Sequence, residues 1–194
     1  CFNETHQYNP GSIYGITKRL AEIGLLNLKK NTDMQISIIR PALIYGPEVK
    51  GNLHLMISGI CRNWFPPVPK VSNKRSMVHV DDVVDSMLFV SNNIYADGEI
   101  YIITDGVNYS TTSIYDTIKA TDRKPKFIFR FPKFIFYAMA KFGDFVKYIP
   151  FNTFSYNKFF GNECFSSKKI NTLGFLPKRT FYNSILEIKK KYKL

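Results

Sequence analysis

Tyr14 and Lys18 stand four residues apart in Pro10-Gly-Ser-Ile-Tyr-Gly-Ile-Thr-Lys18, at what reads as the start of a helix. That spacing puts two side chains on one helix face, a turn apart. A free phenol titrates at about 10, and a cation beside it favours the phenolate. The pair is therefore a device for exchanging a proton near neutral pH. An ordinary exposed pair on an amphipathic helix has the same spacing, so the decision falls to the rest of the chain. Arg75, in Asn73-Lys-Arg-Ser-Met-Val78, is a second candidate. A guanidinium fork suits phosphate in charge and in geometry. The ordinary alternative for Arg75 is an ion pair with Asp81 or Asp82. His79 reads as a buried histidine bonded to backbone, and Asp82 as a helix cap.

Other chemistries find little support. Three histidines (His6, His54, His79) and three cysteines (Cys1, Cys61, Cys164) are widely scattered. They form no CxxC or HxxH pattern, so neither a metal site nor a disulfide framework is expected. Reduced thiols in a cytoplasmic protein are the simplest account. The formal charge is +12 over 194 residues, which raises the question of nucleic acid. The basic residues are mostly scattered, with clusters at Lys168-Lys169 and Lys189-Lys190-Lys191, and no zinc finger, RNP-like or helix-turn-helix signature accompanies them. No specific nucleic-acid partner is expected, and the charge suits an anionic small substrate. A basic polyanion-binding module is the competing class, and retention on heparin that fell steeply with salt would mark it.

The elements that must position these residues alternate between helix and strand. Apolar residues at helical spacing predict a helix from Ser12 to about Lys30, with Ser12 as its cap. Gln35–Arg40 reads as a buried strand, followed by the turn-rich exit Pro41–Pro47. A helix at about 52–63 and a proline-rich loop lead to the segment 74–80, then a helix at 83–92. A strand at 99–104 and a helix at 109–121 come next. One or more helices after Phe127–Phe131 extend to about Gly161, and a short helix, a turn at Leu173–Pro177 and a terminal helix from Phe181 close the chain. The most apolar stretch, Phe127–Phe151, is broken by Arg130, Lys133, Lys141, Asp144 and Lys147. No membrane span is expected. That stretch should pack against the domain or cover a pocket, with a surface-lying amphipathic helix as the alternative. Alternation of this kind indicates an α/β fold.

Four segments in order resemble the extended short-chain dehydrogenase/reductases, in particular the NAD-dependent epimerase/dehydratase family acting on nucleotide sugars. They are Tyr14–Lys18, Arg40–Pro47, Lys74–Asp82, and Ser167-Lys168 with Leu173–Pro177. The resemblance covers only the later part of the family's pattern, because no GxxGxxG or GxGxxG occurs here. It therefore implies the C-terminal part of a Rossmann-type parallel-sheet domain plus a small α/β substrate-binding subdomain. Residues 1–50 would end the NAD-binding domain, and 51–194 would form the substrate region interleaved with its last elements. The resemblance implies Tyr14 and Lys18 as the catalytic pair, both also contacting NAD (or NADP). Pro41, Ala42 and Ile44 would flank the nicotinamide, while Tyr45, Asn52 and Arg75 would contact the substrate. The implied activity is a UDP-hexose 4-epimerase or a 4-keto-sugar reductase, of the kind found in polysaccharide biosynthesis. A sugar dehydratase, a steroid-type dehydrogenase and a non-catalytic remnant are the alternatives. A homodimer paired near the Tyr14 helix is implied for the intact protein, and the isolated piece should be inactive and poorly soluble. An aspartate that often precedes the Ser-Lys of the last segment is Ser166 here.

Overall fold

Ser12 starts the first helix for a local reason. Its Oγ accepts the Gly15 amide at 3.1 Å, satisfying one of the first-turn N–H groups that have no partner inside a helix. The helix, α1, runs Ile13–Lys30 and ends on two lysines, which suits the negative end of its dipole. The computed structural model describes residues 1–6, 10–121, 130–146 and 151–191. Most of the predicted stretch Phe127–Phe131 lies outside them.

Two small sheets follow α1. In the first, β1 (Ile38–Pro41) runs parallel to β4 (Ile100–Ile103), with Ile38 opposite Ile100. In the second, β2 (Leu43–Tyr45) is parallel to β3 (Arg75–His79), and β5 (Asn108–Tyr109) lies antiparallel on the other edge of β3. Ala42 joins them: its amide donates to the Ile103 carbonyl at 2.9 Å before the chain enters β2. The helices are α2 (Gly51–Cys61), α3 (Val80–Ser91), α4 (Thr111–Ala120), α5 (Lys133–Phe145), α6 (Thr153–Phe160), α7 (Lys168–Leu173) and α8 (Phe181–Lys190). Their ends are chemically marked. Ser110 and Ser113 form a reciprocal capping box at α4, and Gly174, at φ 113°, closes α7 in a conformation that favours glycine.

Burial divides into two cores. Ile57 and Ile60 of α2, Ile118 of α4 and Phe181 and Ile188 of α8 cover Tyr45, Met77 and Tyr109 of the three-stranded sheet. Val83 and Val90 of α3 and Ile170 of α7 pack with Tyr101 and Ile103 of β4. By contrast, Gly15 is the buried residue of α1, and Ile13, Leu20, Ile23 and Leu28 stay exposed. Ion pairs, Lys29 with Asp97 and Arg40 with Glu22, tie that helix to the body.

Two expectations are corrected. Asp82 does not cap α3; the His79 ring does, accepting the Asp81 amide on Nδ1 at 3.1 Å. The Asp82 carboxylate points inward and is fully buried. It accepts from the Arg179 backbone N–H at 3.0 Å and from its Nη1 at 2.8 Å. A cation and an amide together offset the cost of burying this carboxylate. The cysteines are not all reduced. Cys1 and Cys164 form a disulfide, with Cα atoms 4.5 Å apart. A short parallel bridge creates the proximity: Phe2 N–H donates to the Cys164 carbonyl and Ser166 N–H to that of Phe2, each at 2.8 Å. Nothing local in the sequence could reveal a pairing across 163 residues. We predict that Cys164→Ser lowers stability by about 2–4 kcal/mol in non-reducing denaturation. The difference should vanish in excess dithiothreitol. An unchanged midpoint without reductant would contradict the cross-link.

Candidate active site

The parallel register of β2 and β3 sets one wall of a cleft of about 310 Å³, at the small end of ligand-binding sizes. Leu43 comes from β2, Asn52 and Met56 from α2, Arg75 from β3 and Lys158 from α6, with Glu163 beside them. Gly51, at φ 68°, lets the chain turn from Lys50 directly into α2. No side chain caps that helix and its first turn holds no acid. The first-turn N–H groups and positive dipole end of α2 therefore lie at the cleft that Gly51 and Asn52 line.

Arg75 is fixed rather than loose. Its Nη1 donates to the carbonyls of Lys158 (3.0 Å) and Phe159 (3.2 Å), and its Nη2 to Glu163 Oε2 at 2.8 Å. Glu163 is itself laddered to β3, its N–H donating to the Lys74 carbonyl and its carbonyl accepting from Ser76 N–H. So Arg75 pairs with Glu163, not with Asp81 or Asp82. Among the described residues, three cations, Lys50, Arg75 and Lys158, and one acid, Glu163, line the cleft. That balance favours an anion.

The remaining predicted residues separate. Tyr14 and Lys18 are neighbours, with Lys18 Nζ 5.5 Å from the Tyr14 ring centroid. Tyr14 is 72% exposed, and the pair does not line the cleft. Pro41 and Ile44 are exposed, while Ala42 is at the edge of burial. Tyr45 is corrected: it is fully buried and stands away from the cleft. Its hydroxyl donates to Asp105 Oδ2 at 3.0 Å, and Tyr109 donates to the same oxygen at 2.6 Å. Burial, with Asp105 next, pushes the Tyr45 hydroxyl well above the usual phenol range. Burial likewise raises Asp105, although bonds from Tyr109, the Val107 amide and Tyr45 oppose it. Within β2, Tyr45 is the buried residue and Leu43 and Ile44 are not; its ring packs edge-on against His79 and Phe181. His79 is buried and backbone-bonded, as read.

Sequence reasoning missed Lys50, Lys158 and Glu163. No motif marks them, and the last two reach Arg75 across more than eighty residues.

Residues 2–104 match the model of the family described as the NAD dependent epimerase/dehydratase family. The chain belongs to that family. A UDP-glucose 4-epimerase of Vibrio cholerae is 29% identical over 125 residues, covering 64% of this chain and 38% of the relative. The N-acetyl-alpha-D-glucosaminyl-diphospho-ditrans,octacis-undecaprenol 4-epimerase of Escherichia coli O157:H7 is 30% identical over 105 residues, covering 53% and 32%. Among solved structures, the UDP-glucose 4-epimerase of Thermotoga maritima, crystallised with UDP-glucose, superposes at a TM-score of 0.73 with 20% identity. That match covers 98% of this chain and 57% of the other. The fold is thus the Rossmann-like α/β fold of these epimerases. The chain spans about a third of the curated relatives it matches and little over half of that structure.

Tyr45→Phe should lower stability by about 1–3 kcal/mol, because it removes a donor from a buried carboxyl. Thermal or urea unfolding measures this. A selective rise in substrate KM with unchanged stability would return Tyr45 to the cleft.

Proposed function

We propose that this protein is an epimerase or reductase of sugars carried on a diphosphate, a UDP-hexose 4-epimerase or 4-keto-sugar reductase in type. The observation that carries the reading is the cleft. A capless helix N-terminus, Lys50, Lys158 and a rigidly oriented Arg75 surround a space with a single acid. Such a set recognises a diphosphate by charge and by the guanidinium fork. The V. cholerae and E. coli relatives share that chemistry in their names, one a uridine diphosphate and the other a diphospho-polyprenol. Asn52, in the first turn of α2, lines the cleft and would hydrogen-bond the bound substrate.

The family implies a nicotinamide cofactor, and the residues present fit its reactive end. The Tyr14 hydroxyl and Lys18 ammonium lie on an exposed helix face, where no described side chain hydrogen-bonds to either. We assign Tyr14 as the acid/base for the sugar hydroxyl and Lys18 as a ligand of the cofactor ribose. The backbone of Pro41, Ala42 and Ile44 would flank the ring, although the Ala42 amide is already engaged by Ile103. NAD, or NADP in its place, supplies hydride exchange when bound. The Gly-rich pyrophosphate turn is absent from these 194 residues. We place it in preceding sequence, with residues 1–50 completing the nucleotide-binding domain and 51–194 supplying the substrate region. A homodimer paired along α1 would cover Ile13, Leu20 and Leu28, which are exposed here.

In the whole protein, Tyr14→Phe should lower kcat about 10²–10⁴-fold while NAD binding, followed by fluorescence titration, persists. Near-normal turnover removes the assignment. Arg75→Ala should raise substrate KM far more than the cofactor Kd. Glu163→Gln should lower KM about two- to five-fold, because it removes a competing carboxylate worth up to about 1 kcal/mol. Equal effects of Arg75→Ala on substrate and cofactor would separate the cleft from the substrate.

A further inference from the structure

Helix α5 has two apolar stripes, and among the described residues only one is covered. Phe136, Ala140 and Gly143 are buried, with the Phe136 ring 5.7 Å from that of Phe160 on α6. Beside them, Tyr137 meets Tyr156 of α6 at 5.4 Å. These contacts make α5 and α6 a hairpin. On the opposite face, Phe134, Ala138, Phe142 and Phe145 follow one another at spacings of four, four and three, on successive turns. Phe134 is 70% exposed, Phe142 63% and Phe145 87%. Phe154, on α6, adds a fourth exposed ring at 74%. A helix apolar on both sides normally has material on both sides.

Charge identifies what lies on the second side. Lys133 and Lys141 are exposed on α5 and Lys158 on α6. Lys141 Nζ stands 5.8 Å from the Tyr137 ring centroid. The one acid of the two helices, Asp144, accepts from the Thr153 backbone N–H at 2.9 Å and from its hydroxyl. It is thereby committed to the start of α6, and the outward face is aromatic and cationic. A second copy of the same face would set lysines against lysines. Thirteen residues extend only about 20 Å, too short to cross a bilayer core of about 30 Å. An aromatic face edged with lysines is instead the pattern of a helix lying in the headgroup layer.

We propose that the α5–α6 hairpin docks this protein on an anionic lipid surface. Lys158 and Phe159 of α6 also line the cleft, so docking brings that wall of the cleft to the membrane. Resting on the reading of the cleft as a sugar-diphosphate site, this favours a substrate whose diphosphate is anchored in lipid. The docking itself does not depend on that reading.

The test is sedimentation of the whole protein with vesicles of phosphatidylcholine, alone or with roughly one-third phosphatidylglycerol. Wild type should partition to the anionic vesicles, and less so as salt rises. Phe142→Ser with Phe145→Ser should reduce that partitioning about tenfold or more, with circular dichroism and turnover of a water-soluble nucleotide sugar unchanged. Lys133→Gln with Lys141→Gln should reduce it about ten- to thirtyfold at low salt, from roughly 1 kcal/mol per lysine. If the double aromatic variant misfolds, Phe145→Ser alone decides, since that ring is the most exposed. No partitioning by wild type overturns the proposal. So does an aromatic variant that binds vesicles like wild type, whether or not it changes oligomeric state or stability; such a change would assign the face to protein. Turnover is not needed for the readout, so a wrong cleft assignment would leave vesicle binding intact.

Discussion

The Asp105 carboxyl, buried between Tyr45 and Tyr109, is the point through which four separate pieces of chain are held together. Its Oδ2 accepts from both phenols, which ties β2 to β5. Its own amide donates to the Met77 carbonyl at 2.7 Å, adding β3. Tyr109 Oη then accepts the Phe181 amide at 2.9 Å, and the one Tyr45 hydroxyl proton is shared between Asp105 and the Arg179 carbonyl 3.3 Å away, which fixes the start of α8. A polar group here would be costly if left unmade. Because every member is paired, the network specifies one arrangement of sheet and helix. The neighbouring Arg179–Asp82 pair extends it to α3. The apolar core closes over this scaffold rather than defining it.

The cleft inherits its geometry from the same sheet. Register places Leu43 opposite Met77 and leaves Arg75 at the open end of β3, where Glu163 runs alongside. Two backbone carbonyls and one carboxylate then set the plane of the guanidinium. An arginine oriented before a ligand arrives loses less rotamer freedom on binding. Glu163 orients the fork and also competes with an anionic ligand for it. Its position on a laddered segment rather than a free loop is what allows both.

Local signals were legible wherever the cause was local. Ser12 capped its helix as its position suggested, and the turn at Leu173–Pro177 holds Gly174, which ends α7, each within four residues of its partner. Parallel pairing was legible as alternation of strand and helix. What escaped is non-local. The Asp105 network joins residues 60 and 72 apart, and the disulfide joins residues 163 apart. Tyr45 shows the cost of reading an aromatic after a strand as a cleft residue. The motif around it resembles the family, but this ring is held inward by His79, Phe181 and the Asp105 carboxyl. Asp82 failed as a cap because the preceding His79 reached the helix N-terminus first.

The two exposed apolar surfaces differ in kind, and the difference bears on what covers each. Along α1 the exposed residues are mainly aliphatic, Ile13, Leu20, Ile23 and Leu28, and the helix also presents Tyr14 and Lys18. A phenol that served as acid/base at a reacting centre would need a structured protein wall opposite it, with a fixed distance and excluded water. Along α5 the exposed residues are aromatic and interspersed with lysine, on a hairpin whose own packing is complete on the inner side. That face carries no group needing a fixed partner geometry. A fluid, anionic layer satisfies it, since rings and ammonium groups require only depth and charge there. The first surface is one that a protein wall would close, whereas the second can remain open on the folded protein.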